Sequence, residues 1–444
     1  MSSTPTPRAD AGPGGVSAAR APGPTAQAHR GVGERLRGAA HSAGSVRILD
    51  FVLFALLISS GGLPIQSVGP IPLANLVLAL ICLRALLDRP RFDLGRWQSL
   101  VPVLVLGLLY VGGISMFAVH SEGAAGWESR LLRMAAVTVL VFVCASGRID
   151  LRSAVLGMFG ALVVNVPLFY TGLVQDNYGG YLTGLIGDKN QAGLAYCMVG
   201  LLMLWVVRSR GGRVVVVLFS TAALWLTGSR TSIAAYAVGI VWFLLAPYLP
   251  IVGKWVLGAV SAWFVSLVSE DYSQVGVFSN REGSDLLRAR IDAASEVKLH
   301  DTGFFGGGLG EAYVTIEDRS WFFHNSYWSA LVEGGWPWAI LVVGATALLL
   351  VRPFTGRVPA PQYVAQAAGV ALLICASRLG EVFYTSVWAV AMAVALQLLA
   401  TPRDPDRSGR LPDPMGRPER GRARPADHTI GSAGTADGPH EGTP

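Results

Sequence analysis

The sequence predicts an all-α polytopic membrane protein with about twelve transmembrane helices. Three observations carry that expectation. The chain is 52% hydrophobic and only 14% charged over 444 residues, with a mean hydropathy of +0.47, too apolar for a soluble protein of this length. The apolar residues are gathered into blocks of about 17–23 residues, each long enough to cross a bilayer as a helix. The basic residues, almost all arginine, fall in alternate short loops and in the two tails.

Taken in order, residues 1–45 are rich in Pro, Gly, Ala and Arg and hold almost no bulky apolar side chains. They read as a disordered tail, because little hydrophobic burial offsets the entropy of ordering. With no apolar core there, the first membrane helix is expected to serve as an uncleaved targeting signal. Apolar blocks follow near 48–66, 70–88, 98–118, 131–146, 152–173, 191–207, 214–229, 231–248, 251–268, 326–351, 361–378 and 383–401. Residues 46–401 are therefore one membrane domain, and 402–444 are a second disordered tail.

Orientation follows from the arginines. Arg84, Arg89, Arg91 and Arg96, then Arg148 and Arg152, then Arg208, Arg210 and Arg213, then Lys254, then Arg352 and Arg357 occupy alternate loops. The positive-inside rule makes those loops and both termini cytoplasmic. The other face receives 119–130, 174–190, 229–231, 270–325 and 379–382. The long polar insert 270–325, between spans 9 and 10, is thus expected to be extracytoplasmic.

The charge of +6 is weak evidence for nucleic-acid binding, because the arginines fall in short loops and tails and not in one groove, and no nucleic-acid partner is expected. Cys82, Cys144, Cys197 and Cys375 lie in or beside apolar blocks without CxxC spacing. They read as small buried apolar residues, with neither a disulfide framework nor a zinc site. No metal ligand set and no cofactor motif is found.

Chemistry is expected where polar residues reach the outer face. Arg230 sits in the knot Thr227-Gly228-Ser229-Arg230, and an arginine at that depth needs a polar cavity or a partner. Lys189-Asn190 opens another span; Asn190 suits either a helix cap or a binding role. Arg378-Leu379-Gly380-Glu381 reads as a turn closed by a local Arg378–Glu381 pair. Within the insert, Ser284–Asp292 suggests a short amphipathic helix capped by Ser284, with Arg288 and Asp292 on one face. Gly306-Gly307-Gly308-Leu309-Gly310 reads as a close-packing loop; as a phosphate cradle it lacks the lysine and strand of a P-loop. His324 follows Trp321-Phe322-Phe323, an interfacial aromatic belt, and an imidazole there can accept a proton near neutral pH.

Three segments together resemble a known family. They are Gly228-Ser229-Arg230 opening a helix, Arg288 followed by Gly306–Gly310, and His324-Asn325-Ser326-Tyr327 running into Glu333-Gly334-Gly335-Trp336. In order, spacing and shared face they resemble the O-antigen ligase and Wzy-type polymerase superfamily, most densely over 187–340.

The resemblance implies a GT-C-like fold and a glycosyltransferase that needs no metal. Its donor would be an oligosaccharide on undecaprenyl diphosphate, met at the outer leaflet. The acceptor would be a glycan, and other polysaccharide-assembly proteins would be partners beside the bilayer.

Carried over, Arg230 and Arg288 match two essential arginines and His324 the motif histidine. Lys189, Asn190, Asn325, Arg290 and Arg281 are candidate substrate-binding residues, and Arg281 and Arg290 compete for the place given to Arg288. The chain departs from the family in its three consecutive glycines and in the partial match at Asp188-Lys189-Asn190-Gln191. Polymerisation of repeat units and ligation of a finished glycan to a lipid, cell-wall or protein acceptor both stay open. A transporter or flippase is the alternative of another class, disfavoured by the scarcity of mid-membrane charge.

Overall fold

The computed structural model describes residues 46–400 apart from Pro70, Glu122 and 271–281. Both expected tails lie outside the described residues, and so does Arg281. Among the described residues, thirteen α-helices account for almost all regular structure: α1 Ile48–Ser59, α2 Leu73–Leu87, α3 Leu100–Phe117, α4 Trp127–Ala145, α5 Leu151–Tyr170, α6 Lys189–Val206, α7 Arg210–Thr227, α8 Arg230–Leu245, α9 Ile251–Glu270, α10 Glu282–Asp301, α11 Ser326–Thr346, α12 Ala360–Ala376 and α13 Ser386–Ala400. Two small antiparallel hairpins complete the fold, β1 Ser67–Val68 with β2 Ile71–Pro72, and β3 Tyr313–Ile316 with β4 Arg319–Phe322.

Each of the twelve apolar blocks falls on one helix. Five stretches are long and apolar enough to cross a membrane: Gly95–Phe117, Leu151–Tyr170, Arg210–Thr227, Arg230–Tyr248 and Ser326–Val351. Shorter apolar helices include α1, α2, α12 and α13.

Helices α6 and α13 form the centre. Thirteen successive residues of α6, Ala192 to Leu204, and ten of α13, Val387 to Leu396, are buried, as expected of helices apolar all round. Around them the outer helices show apolar side chains outward: Leu106 and Leu109 of α3, Val214, Val215 and Leu218 of α7, Trp255 and Trp263 of α9. In water such faces would be an aggregation hazard; in lipid they need no partner. This is the build of a membrane protein.

The loops collect at two ends of the bundle. At one end, Arg91 and Phe92 donate their amides to Ser146 O, and buried Asp50 accepts from Arg84 (2.7 Å) and from the Asp150 amide (2.8 Å). At the other end, Gly62 N donates to Leu185 O and Gln191 donates to Glu381 O. The insert sits there too, because Glu311 accepts from Ser121 N and Ser121 Oγ, both at 2.9 Å.

The insert has a small core of its own, in which Ile291 of α10 packs with Ala312, Val314, Phe323 and Val332. Here the sequence reading is corrected twice. The helix of the insert runs from Glu282 to Asp301, so Ser284 lies within it and does not cap it. The hairpin β3–β4 was not expected at all. Its turn is Glu317-Asp318, both with positive φ (52° and 60°) between the paired Ile316 and Arg319. That is the two-residue turn that fits strand twist, built without the glycine or asparagine that usually announces it.

Candidate functional site

The site is assembled on the break in α11. Gly335 (φ 66°, ψ −167°) is non-helical inside that helix, a conformation only glycine takes easily. The 303–310 loop docks against the break. Trp336 N donates to Phe304 O (3.0 Å), Gly307 N to Val332 O (2.7 Å) and Gly308 N to Glu333 O (2.9 Å). Leu309 N donates to Ser115 Oγ and Gly310 N to Glu333 Oε1 (3.0 Å). These amides are spent on protein groups, so the glycines serve close packing and form no phosphate cradle.

On the N-terminal side of the break, Asn325 caps α11, its Oδ1 accepting from Tyr327 N (2.9 Å) and Trp328 N (3.3 Å). His324 stands just before the cap. Its Nδ1 lies 3.6 Å from Asp292 Oδ1 on α10, an ion-pair distance longer than a hydrogen bond. This contact joins α10 to the start of α11.

A strap, residues 378–382, crosses the start of α11. Ser326 Oγ donates to Leu379 O (2.5 Å) and accepts from Val382 N (3.1 Å), and Ser329 Oγ donates to Gly380 O (3.4 Å). Arg288 Nη2 donates to Arg378 O. The strap cannot lift without breaking these bonds, and a Cβ on Gly380 would meet Phe323 O.

Behind the strap, Glu381 binds Arg130 Nη1 (2.5 Å) and Arg133 Nη2 (3.3 Å). These arginines of α4 take the carboxylate expected to pair with Arg378. Burial pushes the Glu381 carboxyl up, but the two guanidinium charges and their hydrogen bonds outweigh it and hold it down to about 2. Arg130 also binds buried Glu333 on α11, Nε to Oε1 at 3.0 Å and Nη2 to Oε2 at 3.1 Å. Arg130, Arg133, Glu333 and Glu381 thus join α4, α11, the glycine loop and the strap. Sequence reading missed this cluster, although a glutamate inside an apolar run was a usable signal.

A groove of about 780 Å³ opens in front of the strap, walled by α9, α12 and the ends of α11. Its wall on α9 runs from Trp255 to Ser266, about 17 Å at the helical rise. The lining is mostly apolar, with Trp242, Ala262, Val370 and Ile374 along it. His324, Asp292, Asn325 and Arg378 stand at the insert end, and Lys254 and Arg352 at the other.

The remaining candidates are placed as follows. Arg230 is the first residue of α8. Gly239 of α8 faces Ala367 of α12 and Trp242 bonds Gln366, so the two helices run antiparallel and Arg230 comes level with the C-terminal end of α12. It does not line the groove. Lys189 opens α6 with its ammonium over the rings of Tyr178 (5.5 Å) and Tyr181 (5.8 Å). The cap of α6 is Asp188, which accepts from Asn190 N and Gln191 N, so the capping role considered for Asn190 belongs to its neighbour. Arg290 makes an exposed ion pair with Glu317 at 2.8 Å, away from the groove. All four cysteines are buried and free.

No family model matches the chain. No curated protein matches it either.

Proposed function

We propose that this protein is a membrane glycosyltransferase that moves a glycan from undecaprenyl diphosphate to an acceptor sugar, most simply by polymerising repeat units of a surface polysaccharide. In this reading the twelve apolar helices all span the cytoplasmic membrane in a GT-C-like arrangement. Both termini are cytoplasmic, and the insert end is extracytoplasmic. The resemblance to the O-antigen ligase and Wzy-type polymerase superfamily supplies the reaction class, and the groove is the observation that carries it. A long apolar channel within the bundle, ending beside a histidine, a carboxylate and an arginine, suits a ligand with a hydrocarbon tail and an anionic head.

The chemistry follows from the donor. The acceptor hydroxyl oxygen attacks the anomeric carbon, the bond from that carbon to the phosphate oxygen breaks, and undecaprenyl diphosphate leaves with the electron pair. Negative charge grows on the leaving diphosphate, and fixed guanidinium groups stabilise it through forked hydrogen bonds, each worth a few kcal/mol when preorganised. His324 takes the hydroxyl proton, and Asp292 orients the imidazole and balances the imidazolium that forms. Ligation of a finished glycan uses the same donor and the same groups with a different acceptor.

The test is complementation of a deletion strain with glycan length as the readout. Wild type restores long chains, and His324→Ala leaves single repeats with the protein present in the membrane. Long chains building up unattached on the carrier lipid would indicate ligation. Normal glycan with the variant would remove the catalytic reading.

A further inference from the structure

The two arginines that the resemblance singles out, Arg230 and Arg288, do not line the groove, whereas Arg378 does. Arg378 lies two residues past the C-terminal end of α12, its amide donating to Cys375 O. It shares the groove's insert end with His324, Asp292 and Asn325. Everything around it fixes its backbone. Arg288 donates from its guanidinium to the Arg378 carbonyl, Ser326 holds Leu379 and Val382, and Glu381 is gripped by Arg130 and Arg133. A backbone held this way needs no further ordering when the arginine meets a ligand, and only the side chain has to settle.

We propose that Arg378 is the phosphate-binding cation at the groove's insert end, with Arg288 and Glu381 as positioning residues that act through its strap. The ligand class is a prenyl diphosphate, its tail along the α9–α12 wall and its diphosphate between Arg378 and His324. This rests on the lipid-diphosphate reading above and reassigns the roles within it. Arg288 is essential for where it holds Arg378. A fork of guanidinium donors matches two phosphate oxygens, which a carbonyl-bonded Arg288 is less placed to do.

The experiment uses the full chain in phosphatidylcholine nanodiscs with farnesyl diphosphate as the probe, and reads the dissociation constant and its dependence on salt. The wild type binds. Arg378→Gln weakens binding on the order of 30-fold or more, as expected for truncating one side of a buried charged contact, and flattens the salt dependence. Arg378→Lys recovers part of the loss, because the charge returns without the fork.

Glu381→Gln weakens binding by roughly 3- to 10-fold, and combined with Arg378→Gln it adds nothing, since both act through one group. Arg357→Gln, at the opposite end of the bundle, serves as the control and binds as wild type.

Arg378→Gln with wild-type affinity would overturn the assignment, and so would additive losses in the double variant. A wild type that binds no farnesyl diphosphate would overturn the lipid-diphosphate reading as a whole.

Discussion

Replacing Gly335 by alanine tests whether the break in α11 is built into the fold. Two costs add. An alanine at φ 66°, ψ −167° sits in backbone space that L-residues rarely enter, which costs about 1–3 kcal/mol. The new Cβ would also lie 2.0 Å from Phe304 O and 2.5 Å from Phe305 C. Those are backbone atoms, so the 303–310 loop must retreat. The Trp336 N to Phe304 O bond (3.0 Å) is then lost at about 1 kcal/mol. The expected destabilisation is roughly 2–4 kcal/mol.

Gly344, on the same helix, has nothing within 4 Å of its Cβ position. Gly344→Ala should be neutral or stabilise by up to about 1 kcal/mol. The assay is unfolding in mild detergent, followed by circular dichroism and by tryptophan fluorescence. A Gly335→Ala protein as stable as Gly344→Ala would refute the argument.

Further outcomes are expected. Glu333→Ala removes a buried carboxylate (3% exposed) from Arg130 and from Gly310 N, and should destabilise by about 3 kcal/mol, the low end for a broken buried pair because Arg130 keeps Glu381; Glu333→Gln keeps an acceptor for Gly310 and should lose less in the same unfolding assay. The Glu381 carboxyl is lowered from 4.5 to about 2, so its stabilisation is complete above pH 4.5 and is lost as the pH falls toward 2; acid titration of Glu381→Gln should show a shallower decline than wild type over that window. Gly258→Leu narrows the groove where a Cβ has only an ordinary 3.8 Å neighbour, Trp242. It should weaken prenyl-diphosphate binding by roughly tenfold without loss of fold, because the tail has less wall to bury against. His324→Ala should slow transfer by about 10²- to 10⁴-fold.

Apolar periodicity made the membrane helices legible, because each block must be long and continuous to satisfy its backbone in lipid. What escaped depends on contacts between distant segments. Arg130 meets Glu333 and Glu381 across more than 200 residues of chain, and no local pattern encodes that. The Arg378–Glu381 pairing was the natural local reading, but α4 supplies two arginines and wins the carboxylate. The β3–β4 hairpin was illegible because Glu317-Asp318 carries no turn signal of the usual kind. The glycine run was read correctly as close packing, since three glycines without a lysine and a strand lack the parts of a phosphate cradle. At the site, His324 and Asn325 line the groove's insert end. Arg378 and Asp292, judged structural by their local spacing, are the residues that share the groove with them.

Glycan transfer is measured by reconstituting the purified protein with undecaprenyl-diphosphate-linked repeat units and following release of free undecaprenyl diphosphate together with product length. Stoichiometric release and elongation are expected of the wild type, and loss of both in His324→Ala and Arg378→Gln proteins that remain folded. Wild-type protein that leaves the lipid-linked donor intact, with an acceptor present in excess, would contradict the proposed transfer.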